Sequence, residues 1–193
     1  MYEARISTKG VVLFLPTTYQ PEILTFPSVA RVVTQGENRL EELALPWPFP
    51  FLGQEYTRCY VCTDGFINFS GPAGHLSFKY RGLEAGLLIA PFWDDLVTIA
   101  PTHVMMEVWA DPDRVIFDWN TSRAKYLDHQ ASFQLVLFSD GLIRFNYKHI
   151  SSMHFFKPTV GVGSGGKISS KGDMPIGFID SQRSYDVVML WRG

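Results

Sequence analysis

Leu45-Pro46-Trp47-Pro48-Phe49-Pro50-Phe51-Leu52-Gly53 alternates proline with large apolar residues. Each proline fixes φ and removes a backbone donor, which excludes residues 45–50 from a helix interior and from a central strand. The stretch reads as an extended edge or lip whose Trp47, Phe49 and Phe51 seek burial. A β-rich run from Tyr56 to Cys62 follows, and Asp64-Gly65 marks a turn into Phe66-Ile67-Asn68-Phe69.

The same punctuation continues in both directions. Short runs rich in β-branched and aromatic residues recur between Gly, Pro and Asp turns. The expected strands are Glu3–Ser7, Val11–Leu15, Val29–Thr34, Tyr56–Cys62, Phe66–Phe69, Leu87–Phe92, His103–Trp109, Arg114–Asn120, Ser132–Phe138, Leu142–Lys148, Thr159–Gly163 and Val187–Trp191. Helical periodicity is confined to Ser122–Leu127, one short turn. This pattern predicts an all-β chain, a two-layer antiparallel β-sandwich of jelly-roll-like character, with residues 1–193 as one domain.

Two hairpins can be read in register. Across Ala110-Asp111-Pro112-Asp113, an even loop puts Val104, Met106 and Val108 on one face with Val115, Phe117 and Trp119. At Ser139-Asp140-Gly141, a three-residue loop with Gly141 left-handed aligns Phe133, Leu135 and Leu137 with Ile143, Phe145 and Tyr147. The opposite face of this second hairpin carries Gln134, Arg144, Asn146 and Lys148, as a sheet with one wet face requires.

Composition excludes several classes. With 193 residues and 46% apolar content the chain can build one substantial core. A formal charge of −2 and the lack of a basic stripe argue against nucleic acid as partner. The longest apolar run, Leu87 to Trp93, is far short of the roughly 20 residues that span a bilayer. The N-terminus has no leader pattern, since Glu3 and Arg5 precede only a short apolar run. Cys59 and Cys62 form a C-x-x-C within an expected strand, where residues three apart point to opposite faces. They read as separate buried thiols rather than as a disulfide or metal pair.

Four blocks resemble the nidogen-like family, in the expected order across about residues 45–163. They are the Pro-aromatic lip with Gly53 and the Tyr60–Ile67 turn; Leu88-Ile89-Ala90-Pro91-Phe92-Trp93-Asp94-Asp95; Phe133–Phe138 with Ser139-Asp140-Gly141 and Ile143–Tyr147; and Thr159-Val160-Gly161-Val162-Gly163. The chain has Asp64-Gly65 where the family usually has Asn-Gly, which keeps the turn chemistry. The resemblance implies an extracellular or cell-surface, non-catalytic module for adhesion, matrix or surface assembly. Its partners would be proteins or glycans, and no cofactor is expected. Terminal segments outside the resemblance, such as Lys9–Leu15 and Tyr185–Trp191, have strand character and suit self-association by strand addition to a neighbouring copy.

Two groups of residues suggest chemistry. Asp94 and Asp95 follow a buried-looking strand, where adjacent carboxylates can serve a hard cation such as calcium. The competing reading is that one carboxylate caps turn amides. In the first hairpin, Glu107 is expected opposite Asp118, with Trp109 on the same face and Arg144 in reach as a neighbour. Opposed like charges are destabilising, and a carboxylate pair roughly 5–5.5 Å apart is the arrangement of a retaining glycosidase. A carbohydrate-binding or carbohydrate-active domain is thus the alternative, with a solvated pair on an open face as the plain reading. Gly161–Lys167 lacks phosphate-loop spacing. Asn68-Phe69-Ser70 and Asn120-Thr121-Ser122 fit the glycan-acceptor triplet.

Overall fold

The computed structural model describes residues 2–5, 10–19, 31–72, 82–83, 86–98, 103–110, 113–124, 126–165, 172–173 and 179–191. In chain order the strands are β1 (Tyr2–Arg5), β2 (Gly10–Thr17), β3 (Arg31–Thr34), β4 (Gly36–Glu37), β5 (Leu40–Phe51), β6 (Gln54–Cys62), β7 (Phe66–Asn68), β8 (Leu87–Trp93), β9 (Leu96–Thr98), β10 (His103–Ala110), β11 (Asp113–Arg123), β12 (Tyr126–Phe138), β13 (Ile143–Ile150), β14 (Thr159–Ser164), β15 (Gly172–Asp173) and β16 (Arg183–Trp191). They form two antiparallel sheets. The larger runs β1-β2-β16-β13-β12-β11-β10-β3, with β4 and β9 attached at β11; the smaller runs β15-β14-β8-β7-β6-β5. The chain passes back and forth between the layers, so the expected all-β two-layer sandwich is the one found.

The proline-aromatic stretch is the edge strand of the smaller sheet. Pairing with β6 jumps from Ala44↔Arg58 to Phe49↔Tyr56, and Pro46 and Pro48 fall in the skipped segment, where no ladder donor is required. Pro46 and Pro48 stay exposed while Phe49 and Phe51 are buried and Trp47 is half-buried against the core. Phe49, Phe51 and Tyr56 gather around Phe69, with centroid separations of 6.0, 4.9 and 4.9 Å.

Both hairpin registers hold. Val104 pairs Trp119, Met106 pairs Phe117 and Val108 pairs Val115; Leu137 pairs Ile143, Leu135 pairs Phe145 and Phe133 pairs Tyr147. Gly141 has φ +91°, the left-handed conformation that closes the second loop. The inner faces of the two sheets share one core, in which Trp119 stacks on Phe133 at 5.3 Å. Two hydrogen bonds tie the layers through it: Trp119 Nε1 donates to the Cys62 carbonyl at 2.8 Å, and Tyr147 Oη to the Pro91 carbonyl at 2.8 Å. The middle of the smaller sheet, β7, β8 and β14, is buried on both faces, with Cys62, Phe66, Leu83, Leu88, Ala90 and Trp93 packing together on the outer side. This explains why β8 is a continuous apolar run without alternation. Cys59 and Cys62 are buried and free, on opposite faces of β6.

Two expectations are corrected, and the Ser122–Leu127 run, too short to hold as a helix alone, is not one: Ser122 and Arg123 end β11, Tyr126 opens β12, and Arg123 pairs Tyr126 across a tight turn. Six residues cannot offset the cost of helix nucleation, and here the Ala124 N–H is taken by the Asp95 carbonyl at 3.0 Å. The terminal strands are not left for a neighbouring copy, because β16 pairs β2 from Ser184↔Thr17 to Trp191↔Gly10 and β13 on its other side. Finally, the second hairpin's polar face is not wet throughout, since Gln134 and Asn146 are fully buried.

Candidate functional site

The outer face of the larger sheet carries a polar row built by direct cross-strand pairing. Asp118 lies opposite Gln134, Gln134 opposite Asn146, and Asn146 opposite Ser184. Every hydrogen bond along the row points the same way. Ser184 Oγ donates to Asn146 Oδ1 at 2.7 Å, Asn146 Nδ2 to Gln134 Oε1 at 3.3 Å, and Gln134 Nε2 to Asp118 Oδ2 at 2.7 Å. Lys148 Nζ closes the row on the same oxygen at 2.6 Å. Aligned donors ending on a carboxylate reinforce one another in a low-dielectric setting. Asp118 is 6% exposed, and its Oδ2 accepts from both Gln134 and Lys148. Beside it, Arg144 grips Asp186 through Nε at 2.6 Å and a second nitrogen at 3.3 Å, and its guanidinium lies 5.4 Å from the Phe138 ring centre.

This geometry separates the carboxylate pair suggested by the sequence. The first hairpin closes with Ala110 opposite Asp113, and that register sets Glu107 against Ile116 and Met105 against Asp118. Glu107 and Asp118 are therefore diagonal rather than direct partners, and the penalty of opposed like charges does not arise in that form. Trp109 pairs Arg114; the side chains of Glu107 and Trp109 fall outside the described residues. The signal for the row itself was in the sequence, because the second hairpin's register already set Gln134 against Asn146.

A second polar group lies where the turn before β7 meets the turn after β8. Asp94 is fully buried and its carboxylate is occupied. Oδ1 accepts the Asp95 N–H at 2.8 Å, while Oδ2 accepts Arg123 at 2.8 Å and the Lys157 N–H at 2.6 Å. It acts as the turn-capping carboxylate. Asp95, 5% exposed, has no such set of partners. Asp64 is a turn residue by sequence, yet it is 1% exposed and its carboxylate oxygens have no side-chain partner. Burial first, then the nearby Asp95, push its pKa up to about 7, against the opposing effect of the Asn38 backbone N–H. Among the described residues, no three His, Cys, Asp or Glu side chains converge as a metal centre.

The third feature is a groove of about 380 Å³ at one end of the sandwich. The β5–β6 turn supplies Pro50, Leu52 and Gly53, the β12–β13 turn Asp140 and Gly141, and β16 Val187 and Met189. Leu52 and Gly53 both have positive φ, +50° and +79°, the paired conformation of a two-residue hairpin turn that favours Asn-Gly. Leucine there is strained.

Of the two glycan-acceptor triplets, Asn68 is buried with Nδ2 donating to the Gly71 carbonyl at 2.6 Å, whereas Asn120 is exposed. No helix among the described residues is long and apolar enough to cross a membrane.

A two-layer antiparallel sandwich with a paired polar row across its larger sheet defines an all-β module. The family model described as NIDO related (nidogen related) matches residues 15–177, and the chain belongs to that family. The match reaches well beyond the 45–163 span legible in the motifs and takes in the last three residues of β2. No curated protein and no solved structure matches the chain. The family suggests a matrix-type module and an extracellular setting.

Proposed function

We propose that the chain is a non-catalytic recognition module of an extracellular surface or matrix assembly, and that it holds a protein partner in the groove at its loop end. The observation that carries this reading is Leu52. It keeps a left-handed backbone where asparagine or glycine would sit without strain. It also lines a groove that three separate segments build. Leu52 is half-buried, with part of its side chain on the core, and strained backbone clusters at ligand contacts. The engaged state of Asp118 and Arg144 and the separation of Glu107 from Asp118 favour recognition over glycoside chemistry.

Leu52→Asn tests this directly, because it relieves the turn while removing the apolar contact. The wild type and the variant are compared by biolayer interferometry against matrix and cell-surface proteins, with a glycan array in parallel. The expected result is a protein ligand bound by the wild type and lost in the variant, whose melting temperature is equal or higher. Glycan binding abolished by Trp109→Ala and untouched by Leu52→Asn would replace this reading with the carbohydrate one.

A further inference from the structure

The chain contains the same turn chemistry twice, Thr63-Asp64-Gly65 and Ser139-Asp140-Gly141, and uses the aspartate differently each time. In both, Gly is left-handed and its N–H returns to the carbonyl three residues earlier, Cys62 at 3.2 Å and Phe138 at 2.9 Å. Asp140 is exposed, and its Oδ1 accepts the Leu142 N–H at 2.9 Å, as an aspartate in a turn ordinarily does. Asp64 performs no such service. Its two oxygens are buried without a side-chain partner, and the Asn38 backbone N–H is the one donor that acts on them.

The surroundings of Asp64 are acidic. Asp95, Glu37 and Asp94 all act on its carboxyl, and among the described residues no cationic side chain does. Arg123, which lies nearby in the fold, is engaged by Asp94. A buried carboxylate without partners is costly unless something positive meets it. The frame is meanwhile well fixed. Thr63 N–H donates to the Arg39 carbonyl at 2.9 Å, Arg39 N–H to Thr63 Oγ1 at 3.0 Å, Asp94 N–H to the Asp64 carbonyl at 3.1 Å, and Ala124 N–H to the Asp95 carbonyl at 3.0 Å. Three segments distant in sequence are thereby clamped around one carboxylate.

We propose that Asp64 and Asp95 form a binding site for a hard divalent cation of calcium's class, at the seam between the Thr63–Gly65 turn and the Asp94–Leu96 turn. The sequence pointed to Asp94 and Asp95; the structure removes Asp94, whose oxygens are spent, and substitutes Asp64. Carboxylate oxygens select hard cations. The neighbouring Cys62 side chain is packed among Phe66, Leu88 and Trp93, which leaves oxygen as the donor type of the site. With two carboxylates, the other ligands would be backbone carbonyls and water. That places the affinity at the weak end of calcium sites, with Kd roughly 10⁻⁴–10⁻³ M. The inference is independent of the groove and its partner.

The test uses CaCl2, ZnCl2 and TbCl3 on the full chain at pH 7.5 and constant ionic strength. Trp93 is a built-in antenna for terbium, since it is buried, packs on Phe66 at 4.6 Å and immediately precedes Asp94. The expected results are Trp-sensitised terbium emission that CaCl2 displaces, and a rise in Tm of roughly 3–11 °C at 10 mM CaCl2. Asp64→Asn should fold and lose both responses, and Asp140→Asn should keep both. Asp95→Asn is the second variant should Asp64→Asn not fold. No calcium response in the wild type, an equal response in Asp64→Asn, or stabilisation by ZnCl2 alone overturns the proposal.

Discussion

Gly65→Ala isolates how closely the two turns at the seam are packed. Gly65 has φ +89°, so any side chain there incurs left-handed strain of about 1–2 kcal/mol. A Cβ at this position would also overlap the Phe92 carbonyl oxygen and stand 2.9 Å from its carbon and 3.0 Å from Phe133 Cζ. The carbonyl belongs to β8 and cannot swing aside as a flexible side chain would. Overpacking of this kind adds about 1–3 kcal/mol. The total, roughly 2–5 kcal/mol, is a large fraction of the ~5–15 kcal/mol by which domains are stable. Gly53→Ala is the internal control. Its φ is +79°, but nothing stands within 4 Å of the new methyl, so only the strain applies. Urea unfolding followed by tryptophan fluorescence, with circular dichroism as second probe, measures both. In thermal terms the control should fall by roughly 2–8 °C and Gly65→Ala by roughly 4–20 °C, taking ~2–4 °C per kcal/mol at this chain length. Equal losses in the two variants, within ~0.5 kcal/mol, would refute the close approach of the Gly65 turn to β8.

Gly141→Val should cost at least about 1–2 kcal/mol through left-handed strain, with further crowding from Pro50 Cγ, 3.0 Å from the added Cβ; an unchanged urea midpoint would contradict the three-residue loop. Lys148→Met leaves the buried Asp118 carboxylate without its ammonium and is expected to cost about 2 kcal/mol. Adding Asp118→Leu and Gln134→Leu should recover part of that loss in a mutant cycle, and strict additivity would show that the row is not coupled. Burial pushes the Cys59 thiol up to about 12 from 9.0. The folded state therefore holds this proton more tightly than the unfolded one. Its contribution is fully present below pH 9 and is lost as pH rises from about 9 to 12, with a ceiling of about 4 kcal/mol. Urea midpoints measured across that range should decline, and less steeply in Cys59→Ala. Both thiols should resist Ellman's reagent in the native state at pH 8 and react on unfolding.

Strand positions, both hairpin registers and the edge character of the proline stretch were all legible in the sequence. Each depends on neighbours within a few residues: proline at 46, 48 and 50, Gly141 after Asp140, alternation of apolar residues from Phe133 to Leu137. The opposite faces of Cys59 and Cys62 follow from strand periodicity alone. The Glu107–Asp118 pairing failed for a definite reason. The even loop was right, but the pairing it implies is Glu107 with Ile116, and polarity offers no correction when two acids lie one alternate pair apart. The pairing of β2 with β16 joins residues more than 160 positions apart, and no local pattern distinguishes it from pairing with a second copy.

Local chemistry thus determined that the chain would be extended, where it would turn and which side of each strand would be dry, because pleat and turn preferences act over two to five residues. The fate of individual polar groups was decided only when distant segments met. Asp64 and Asp140 sit in equivalent turns, yet one faces solvent and the other is sealed by Asp94, Asp95 and the Arg39 segment. A carboxylate's charge, pKa and ligand depend on the dielectric and the partners around it, and those are properties of packed layers rather than of neighbours in the chain.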